Sequence, residues 1–165
     1  MADTELPDEV VRLLNDPAAG REQPVLPLFT VDDQGFPHAT LSSARQWWIG
    51  DERLVCVFAA GRTTRYLSQR PQALLLVIGA RQAYSVRLRA ARIQDTDDRR
   101  AAVAFDVTAS ESDTRGVGLT PMLFQATDEL ARQERISDHA AAIAAQLAQQ
   151  PSPVTRLESA ICYHP

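Results

Sequence analysis

The sequence predicts a mainly β protein with flanking helices, in which antiparallel strands in meander or Greek-key order close, or nearly close, into a barrel. Short apolar and β-branched runs recur through the middle of the chain. Tight turns rich in Gly and Asp separate these runs and leave no room for the crossover that parallel strands require. Closing the sheet would also remove its exposed edges. A length of 165 residues suits one domain, or one domain with an appendage.

The first part of the chain predicts one helix followed by a meander of three strands. Four apolar residues share one face of a short helix over residues 7–16, and Pro17 ends it. A linker follows at residues 18–23. Asp32 and Gly35 are typical of a hairpin turn, because Asp bonds the local backbone and Gly accepts a positive φ. The predicted strands are residues 25–31, 37–49 and 54–59, with turns at 32–35 and 50–52.

The second part of the chain predicts further strands and a long C-terminal helix. Pro71 ends a short helix over residues 63–69, and Pro121 confines the last strand to an edge or a bulge. The remaining predictions are strands at residues 73–78, 83–94 and 119–127, a turn at 79–82, helices at 99–107 and 137–149, a loop at 108–118 and a weakly strand-like tail at 155–163. We divide the chain into an N-terminal helix and linker (1–24), a barrel domain (25–127) and a C-terminal helix and tail packed on that domain (128–165).

Composition excludes several classes of function. A net charge of −4 argues against general nucleic-acid binding, which uses excess positive charge to displace counterions. All cationic residues are Arg, so a lysine Schiff base and a P-loop lysine are excluded. The two Cys (Cys56 and Cys162) and the three His lack metal-site spacing, so no metal is expected. The start of the chain does not resemble a secretory signal and no apolar run would span a membrane, which predicts a cytoplasmic protein.

The segment from Gly61 to Leu67 carries the first candidate site. It leaves an apolar strand and enters a helix, and the N-terminus of a helix attracts phosphate through its unpaired N–H groups. Arg62, Arg65 and two threonine hydroxyls would add donors. The local pattern on its own favours the plainer interpretation, a threonine N-cap with solvated arginines.

The segment from Gly35 to Ser43 carries the second candidate site. Three hydroxyl side chains fall within four residues of one predicted strand, and Thr40 and Ser42 share a face of it. Such hydroxyls can bond the polar edge of a ring system, or they can simply face solvent. His38, beside a proline, suits a turn or a surface better than catalysis. No nucleophile elbow, catalytic triad or carboxylate pair is visible, so an enzyme of this sequence would need a cofactor for its chemistry.

In combination these segments resemble a known family. The run from Leu28 to Thr40 fits the pattern L-x-T-x-D-x-x-G-x-P-H-x-T, which opens the pyridoxamine 5′-phosphate oxidase-like flavin-binding proteins. The stretch from Gly61 to Pro71 is similar to the second signature of that family, a basic or hydroxyl-bearing turn followed by Leu-x-x-x-Pro and an apolar strand. Residues 83–94 are similar to the long strand that follows. The resemblance spans about residues 25–127.

The resemblance implies a split β-barrel homodimer that binds flavin mononucleotide (FMN) in a cleft between its subunits. The implied phosphate ligands are Arg62, Thr63 and Arg65, with Arg45 reaching the same group. The implied neighbours of the flavin ring are Thr40, Leu41, Ser42, Ser43, Val57 and Phe58. Thr63 replaces a lysine common in the oxidases of the family, and the C-terminal segment lacks their tryptophan and paired arginines. We therefore carry over the fold and the cofactor, and not the oxidation of vitamin B6.

Three functions remain open from the sequence. The first is an FMN-dependent oxidoreductase acting on an unidentified small molecule, with no catalytic residue assigned. The second is a non-catalytic module that senses, stores or carries flavin or haem, for which the only histidines are His38, His139 and His164. The third is a reductase that uses a deazaflavin, since both cofactors present a ribityl phosphate and a tricyclic ring.

Overall fold

The computed structural model of the chain describes residues 5–15, 22–50, 53–79, 82–96, 99–113, 118–125 and 135–151. Within these residues it contains three helices, eight strands and one 3-10 turn at Ala44–Gln46. The helices are α1 (Asp8–Asn15), α2 (Arg62–Gln69) and α3 (Asp138–Ala148). The strands are β1 (Glu22–Val31), β2 (Pro37–Ser43), β3 (Trp47–Ile49), β4 (Arg53–Ala59), β5 (Gln72–Ile78), β6 (Ala83–Asp95), β7 (Arg100–Asp113) and β8 (Leu123–Gln125).

The strands form one antiparallel sheet in the order β2-β1-β5-β6-β7-β4-β3, and β8 pairs with the start of β1. β5, β6 and β7 form a meander, whereas β4 precedes them in the chain and pairs with β7. The predicted class, mainly antiparallel β with flanking helices, is confirmed. A bulge in β6 next to Ala90 shifts the register against β7, which increases the local bend of the sheet.

The sheet buries a core on each of its faces. Alternate residues of β1, β4, β5, β6 and β7 point inward, where α1 adds Val10 and Leu14 to the main core. On the outer face, α3 covers part of β4 and β7 and forms a second, smaller core. Ala102 and Ala104 of β7 are small enough to let α3 approach, and Leu147 fills the space between them and β4. The predicted C-terminal helix is thus confirmed, and it covers the part of the outer face that β4 and β7 form.

Two polar side-chain contacts join different elements of the fold. Arg53 Nε of β4 donates to Asp106 Oδ1 of β7 at 3.0 Å, and both side chains are buried. Tyr84 Oη of β6 donates to Glu9 Oε2 of α1 at 2.6 Å. Burial and the neighbouring Glu9 carboxylate raise the pKa of Tyr84 to about 12. The first contact links the paired inner strands β4 and β7, and the second holds α1 against β6.

The predicted helix over residues 99–107 and the predicted loop over residues 108–118 are wrong where the structure describes them. Residues 100–113 form the long strand β7, and residues 114–117 lie outside the described part. The alanines of this segment favour a helix by intrinsic propensity. Their alternation is nevertheless of period two, because Val103 and Phe105 enter the main core while Ala102 and Ala104 face α3. Tertiary packing therefore overrides local propensity.

Smaller differences concern the ends of elements. The predicted strand over residues 37–49 is interrupted by the 3-10 turn, so that β2 and β3 are separate strands. β1 begins at Glu22, within the predicted linker. Of the described residues in the predicted last strand (119–125), three form β8. The predicted tail at residues 155–163 lies outside the described residues. Within the described part, no helix is long and apolar enough to cross a membrane. The domain boundaries and the cytoplasmic location stay predictions.

Candidate functional site

The start of α2 lacks a side-chain cap. Gly61 occupies the N-cap position, and Thr64 closes the turn by accepting from Gly61 N at 3.1 Å and donating to Gly61 O at 3.0 Å. Within the described chain, no acceptor contacts the backbone N–H groups of Arg62, Thr63 and Thr64. The start of α3, by contrast, is capped by Ser137. The N–H groups at the start of α2 can therefore serve an anion.

The two candidate segments meet at one contact. Thr40 Oγ1 of β2 lies 2.6 Å from Thr63 Oγ1 of α2, although the two residues are 23 positions apart. Thr40 Oγ1 also lies 3.5 Å from Nε2 of His38. The His38 ring packs edge-on against Tyr66 of α2, with 5.2 Å between ring centroids. The start of α2 is thereby joined to the inward face of β2.

Two arginines, Arg65 in α2 and Arg70 directly after it, contact the hairpin that connects β1 and β2. The Arg65 guanidinium donates to Asp33 Oδ2 at 2.9 Å, with both side chains about half exposed, and lies 5.0 Å from the centroid of the Tyr66 ring. Arg70 donates to the backbone oxygen of Asp32. Arg62, at the first helical position, is exposed. The region around α2 is therefore positively charged, but the carboxylates of the β1–β2 hairpin neutralise part of that charge.

The other hydroxyl and apolar candidates on β2 point to both sides of the sheet. Ser42 is fully buried, donates to Leu26 O at 2.7 Å and accepts from Trp47 Nε1 at 2.9 Å. Its hydroxyl is thus used inside the core. Leu41 points to the opposite face and is 56% exposed. Ser43 is half-buried, and its backbone N–H donates to the side chain of Gln46 at 2.9 Å.

The remaining candidates do not converge on the start of α2 with their side chains. Val57 packs against α3, while Phe58 enters the main core beside Trp47. The backbone oxygen of Val57 accepts from Gln46 Nε2 at 3.1 Å, which links β4 to the 3-10 turn. Arg45 in that turn is exposed. The assignment of all these residues to a cofactor stays a prediction.

The sequence interpretation missed Asp33 and Tyr66, which both contact the Arg65 guanidinium. Asp33 lies 32 positions from its partner, and nothing in the local pattern marks it as more than a turn residue. Among the described residues, no group of three or more His, Cys, Asp or Glu side chains could hold a metal ion. Burial raises the pKa of the Cys56 thiol, so this cysteine is unsuited to act as a nucleophile.

Comparison with solved structures identifies the fold. An F420 reductase is similar over 64% of this chain and 98% of its own, with 16% identity and a TM-score of 0.51. A Clostridium acetobutylicum protein of the pyridoxinephosphate oxidase family, related to general stress protein 26, is similar over 74% and 94%, with 12% identity and a TM-score of 0.52. The fold is a split β-barrel. HupZ of Group A Streptococcus shares it over 70% of this chain and all of its own, with 13% identity and a TM-score of 0.52.

No family model matches the sequence, and no curated protein is significantly similar to it. The split-barrel fold implied by the sequence resemblance is therefore supported by three-dimensional similarity alone. Structural similarity at 12–16% sequence identity establishes the shared fold. The ligand and the reaction have to be argued from the residues of this chain.

Proposed function

We propose that this split-barrel protein binds FMN and acts as a flavin-dependent oxidoreductase on a small molecule. The observation that carries the proposal is the 2.6 Å contact between Thr40 and Thr63. It joins the two segments that the sequence resemblance independently marks as flavin-binding. The proposal is further supported by the split-barrel fold, which this chain shares with a reductase and with a pyridoxinephosphate oxidase family protein.

The FMN phosphate would lie at the start of α2. Its oxygens would accept from the backbone N–H groups of residues 62–64, which have no acceptor within the described part of the chain. The exposed Arg62 side chain would add a charge-assisted bond, as would Arg65 once it turns from Asp33. Thr63 is only 7% exposed, so its hydroxyl would contribute from beneath the phosphate.

The flavin ring would lie along β2, towards the outer face on which Leu41 is exposed. A second copy of the chain would cover this face and close the cleft, with Arg45 and Ser43 at its border. Met122, beside the start of β1, is 51% exposed and would extend the apolar contact. Val57 and Phe58 are buried on opposite faces of β4, so their side chains would not line the cleft.

Bound FMN would supply hydride or electron transfer, which no side chain of the protein can supply. The chain would contribute three things: phosphate binding, an apolar wall and exclusion of water from the cleft. We assign no catalytic acid or base. His38 lies near the start of α2, but its ring packs against Tyr66 and its Nε2 faces the Thr40 hydroxyl at 3.5 Å.

Titration of the purified protein with FMN tests the proposal. We expect wild-type protein to bind FMN, and Arg62→Ala to weaken binding by about 1–3 kcal/mol, since a guanidinium–phosphate bond is charge-assisted. Arg92→Ala is the matched control, because Arg92 is an exposed arginine that contacts Gln150 near the end of α3. A colourless protein that takes up no FMN would refute the proposal. Equal affinity in wild type and Arg62→Ala would place the phosphate elsewhere.

A deazaflavin reductase is the second candidate, favoured by the structural similarity to an F420 reductase. Parallel titrations with FMN and F420 separate the two, since the true cofactor should bind more tightly. Reduction of the bound cofactor by NADH or NADPH on a catalytic timescale would distinguish an enzyme from a non-catalytic carrier.

A haem-binding module would need an axial ligand. His38 is packed against Tyr66, and His139 is exposed on α3.

A further inference from the structure

We infer that Thr40 is a positioning residue for the phosphate of FMN and acts through Thr63, an inference that rests on the proposed function. The sequence resemblance implies instead that Thr40 neighbours the flavin ring. In the structure its hydroxyl points to α2, where it lies 2.6 Å from the Thr63 hydroxyl. Thr40 thus connects the strand beneath the ring with the helix that would hold the phosphate.

The contact is placed where it can fix the start of α2. Thr63 is the second helical residue after Gly61, and its side chain is almost fully buried. The start of α2 has no side-chain cap from outside the helix, so among the described side chains Thr40 is the one that anchors its first turn by a hydrogen bond from the sheet. A shift of this turn would redirect the N–H groups that bind phosphate. Electrostatic binding of this kind depends strongly on donor direction.

The direction of the hydrogen bonds also favours a role at an anion. A hydroxyl carries one proton and can accept as well as donate. When Thr63 donates to a phosphate oxygen, its own oxygen can accept from Thr40. Thr40 can in turn accept from Nε2 of His38, 3.5 Å away. The series of hydrogen bonds from His38 through Thr40 to Thr63 would then direct the Thr63 hydroxyl proton at the anion. Valine at position 40 has no hydroxyl and cannot complete this series.

A variant series separates positioning from general stability. Thr40→Val keeps the shape of the side chain and removes the hydroxyl, whereas Thr40→Ser keeps the hydroxyl. Thr30→Val is the matched control, because Thr30 is a buried threonine of β1 that bonds the backbone oxygen of His38 and makes no hydrogen bond to α2. Each variant is titrated with FMN and with riboflavin, which lacks the phosphate, and its thermal unfolding is recorded.

We expect Thr40→Val to weaken FMN binding about three- to tenfold and to leave riboflavin binding unchanged. Thr40→Ser and Thr30→Val should stay within about twofold of wild type for both ligands. In a Thr63→Val background, adding Thr40→Val should cause no further loss, because the two residues act as one unit. Should Thr40→Val fail to fold, Thr40→Ala removes the same hydroxyl while leaving Thr63 in place, and it should show the same selective loss of FMN binding.

Other outcomes overturn the inference. Equal losses for FMN and riboflavin in Thr40→Val would indicate a ring contact or a general loss of structure. Additive losses in the double variant would show that Thr40 acts independently of Thr63. In another outcome, wild-type protein binds FMN more tightly than riboflavin and Thr40→Val keeps the same affinity for FMN. In that case the inference fails and the proposed function stands. If wild-type protein binds neither flavin, both fail.

Discussion

At the scale of single residues, Arg65 has a charged partner that lies far from it in the sequence. Its guanidinium lies 2.9 Å from the Asp33 carboxylate, and both groups are about half exposed. An exposed ion pair of this kind contributes about 0–1 kcal/mol and is screened by salt. The Asp33 carboxylate would therefore compete with a phosphate for Arg65 without excluding it.

Removing this competitor should strengthen the proposed site. We expect Asp33→Asn to tighten FMN binding by about two- to fivefold at low ionic strength, because it frees Arg65 and removes a negative charge near the phosphate. Riboflavin binding should not change. Glu111→Gln is the control, since Glu111 of β7 forms a similar exposed pair with Arg87 of β6. Weaker FMN binding in Asp33→Asn would mean that the hairpin, and not the charge balance, governs the site.

The hydroxyl residues of β2 show what a residue pattern predicts and what it does not. The alternation of the strand predicts that Thr40 and Ser42 share a face, and both point inward. The pattern does not distinguish a hydroxyl at the edge of the sheet from one in the core. Ser42 is satisfied by Leu26 O and Trp47 Nε1, whereas Thr40 reaches α2. Only the neighbours of each side chain decide between these roles.

At the scale of elements, Gly50 allows the end of α3 to lie very close to the backbone that follows β3. A Cβ atom added at this glycine would lie 1.7 Å from the backbone oxygen of Ala148, near the end of α3. Gly50 N donates to Arg53 O at 2.8 Å, which ties Gly50 to the start of β4. The absence of a side chain at position 50 therefore sets the distance between Gly50 and α3.

Gly50→Ala should destabilise the protein. We expect its free energy of unfolding to fall by about 1–3 kcal/mol, because the backbone at position 50 or α3 must shift to relieve the overlap. Chemical denaturation measures the change. Gly118→Ala is the control and should alter stability by less than about 0.5 kcal/mol, since no atom lies within 4 Å of a Cβ added there. An unaffected Gly50→Ala variant would show that α3 packs less tightly on this position.

β7 is the element whose class could not be derived from its own residues. Its alanines have high helix propensity, and the acidic residues before it are typical of a helix cap. The strand forms because β4 and β6 pair with it on both edges and because α3 requires small residues on its outer face. α3 itself was predictable, since the apolar stripe that ends at Leu147 repeats with helical period.

At the scale of the whole molecule, the outer face of the sheet is covered unevenly. α3 packs over β4 and β7, while β2 and β5 carry apolar residues on the same face. Leu41 is 56% exposed, and Leu74 and Leu76 of β5 are half-buried. Apolar surface of this kind suits association with a second copy. A homodimer stays a prediction, and it is one that a single substitution can test.

Leu41→Glu should shift the protein towards monomer and weaken FMN binding in parallel. Burying a carboxylate in an apolar interface is costly, and the proposed cleft is incomplete in a single copy. Sedimentation at micromolar concentration measures the first effect, and titration measures the second. Gln146→Glu, which adds the same charge on the exposed side of α3, should change neither. A wild-type protein that sediments only as a monomer would contradict the prediction.

The sequence by itself determined the β class, the β1–β2 hairpin, α2, α3 and the residue types at the start of α2. These features depend on local physics, namely the period of apolar residues, the turn chemistry of Asp32 and Gly35, and the end of a helix at Pro71. The tertiary structure decided that residues 100–113 form a strand, that Ser42 is committed to the core and that Thr40 meets Thr63. These outcomes depend on contacts between residues far apart in the chain. Their free energy comes from packing and buried hydrogen bonds that no local window contains.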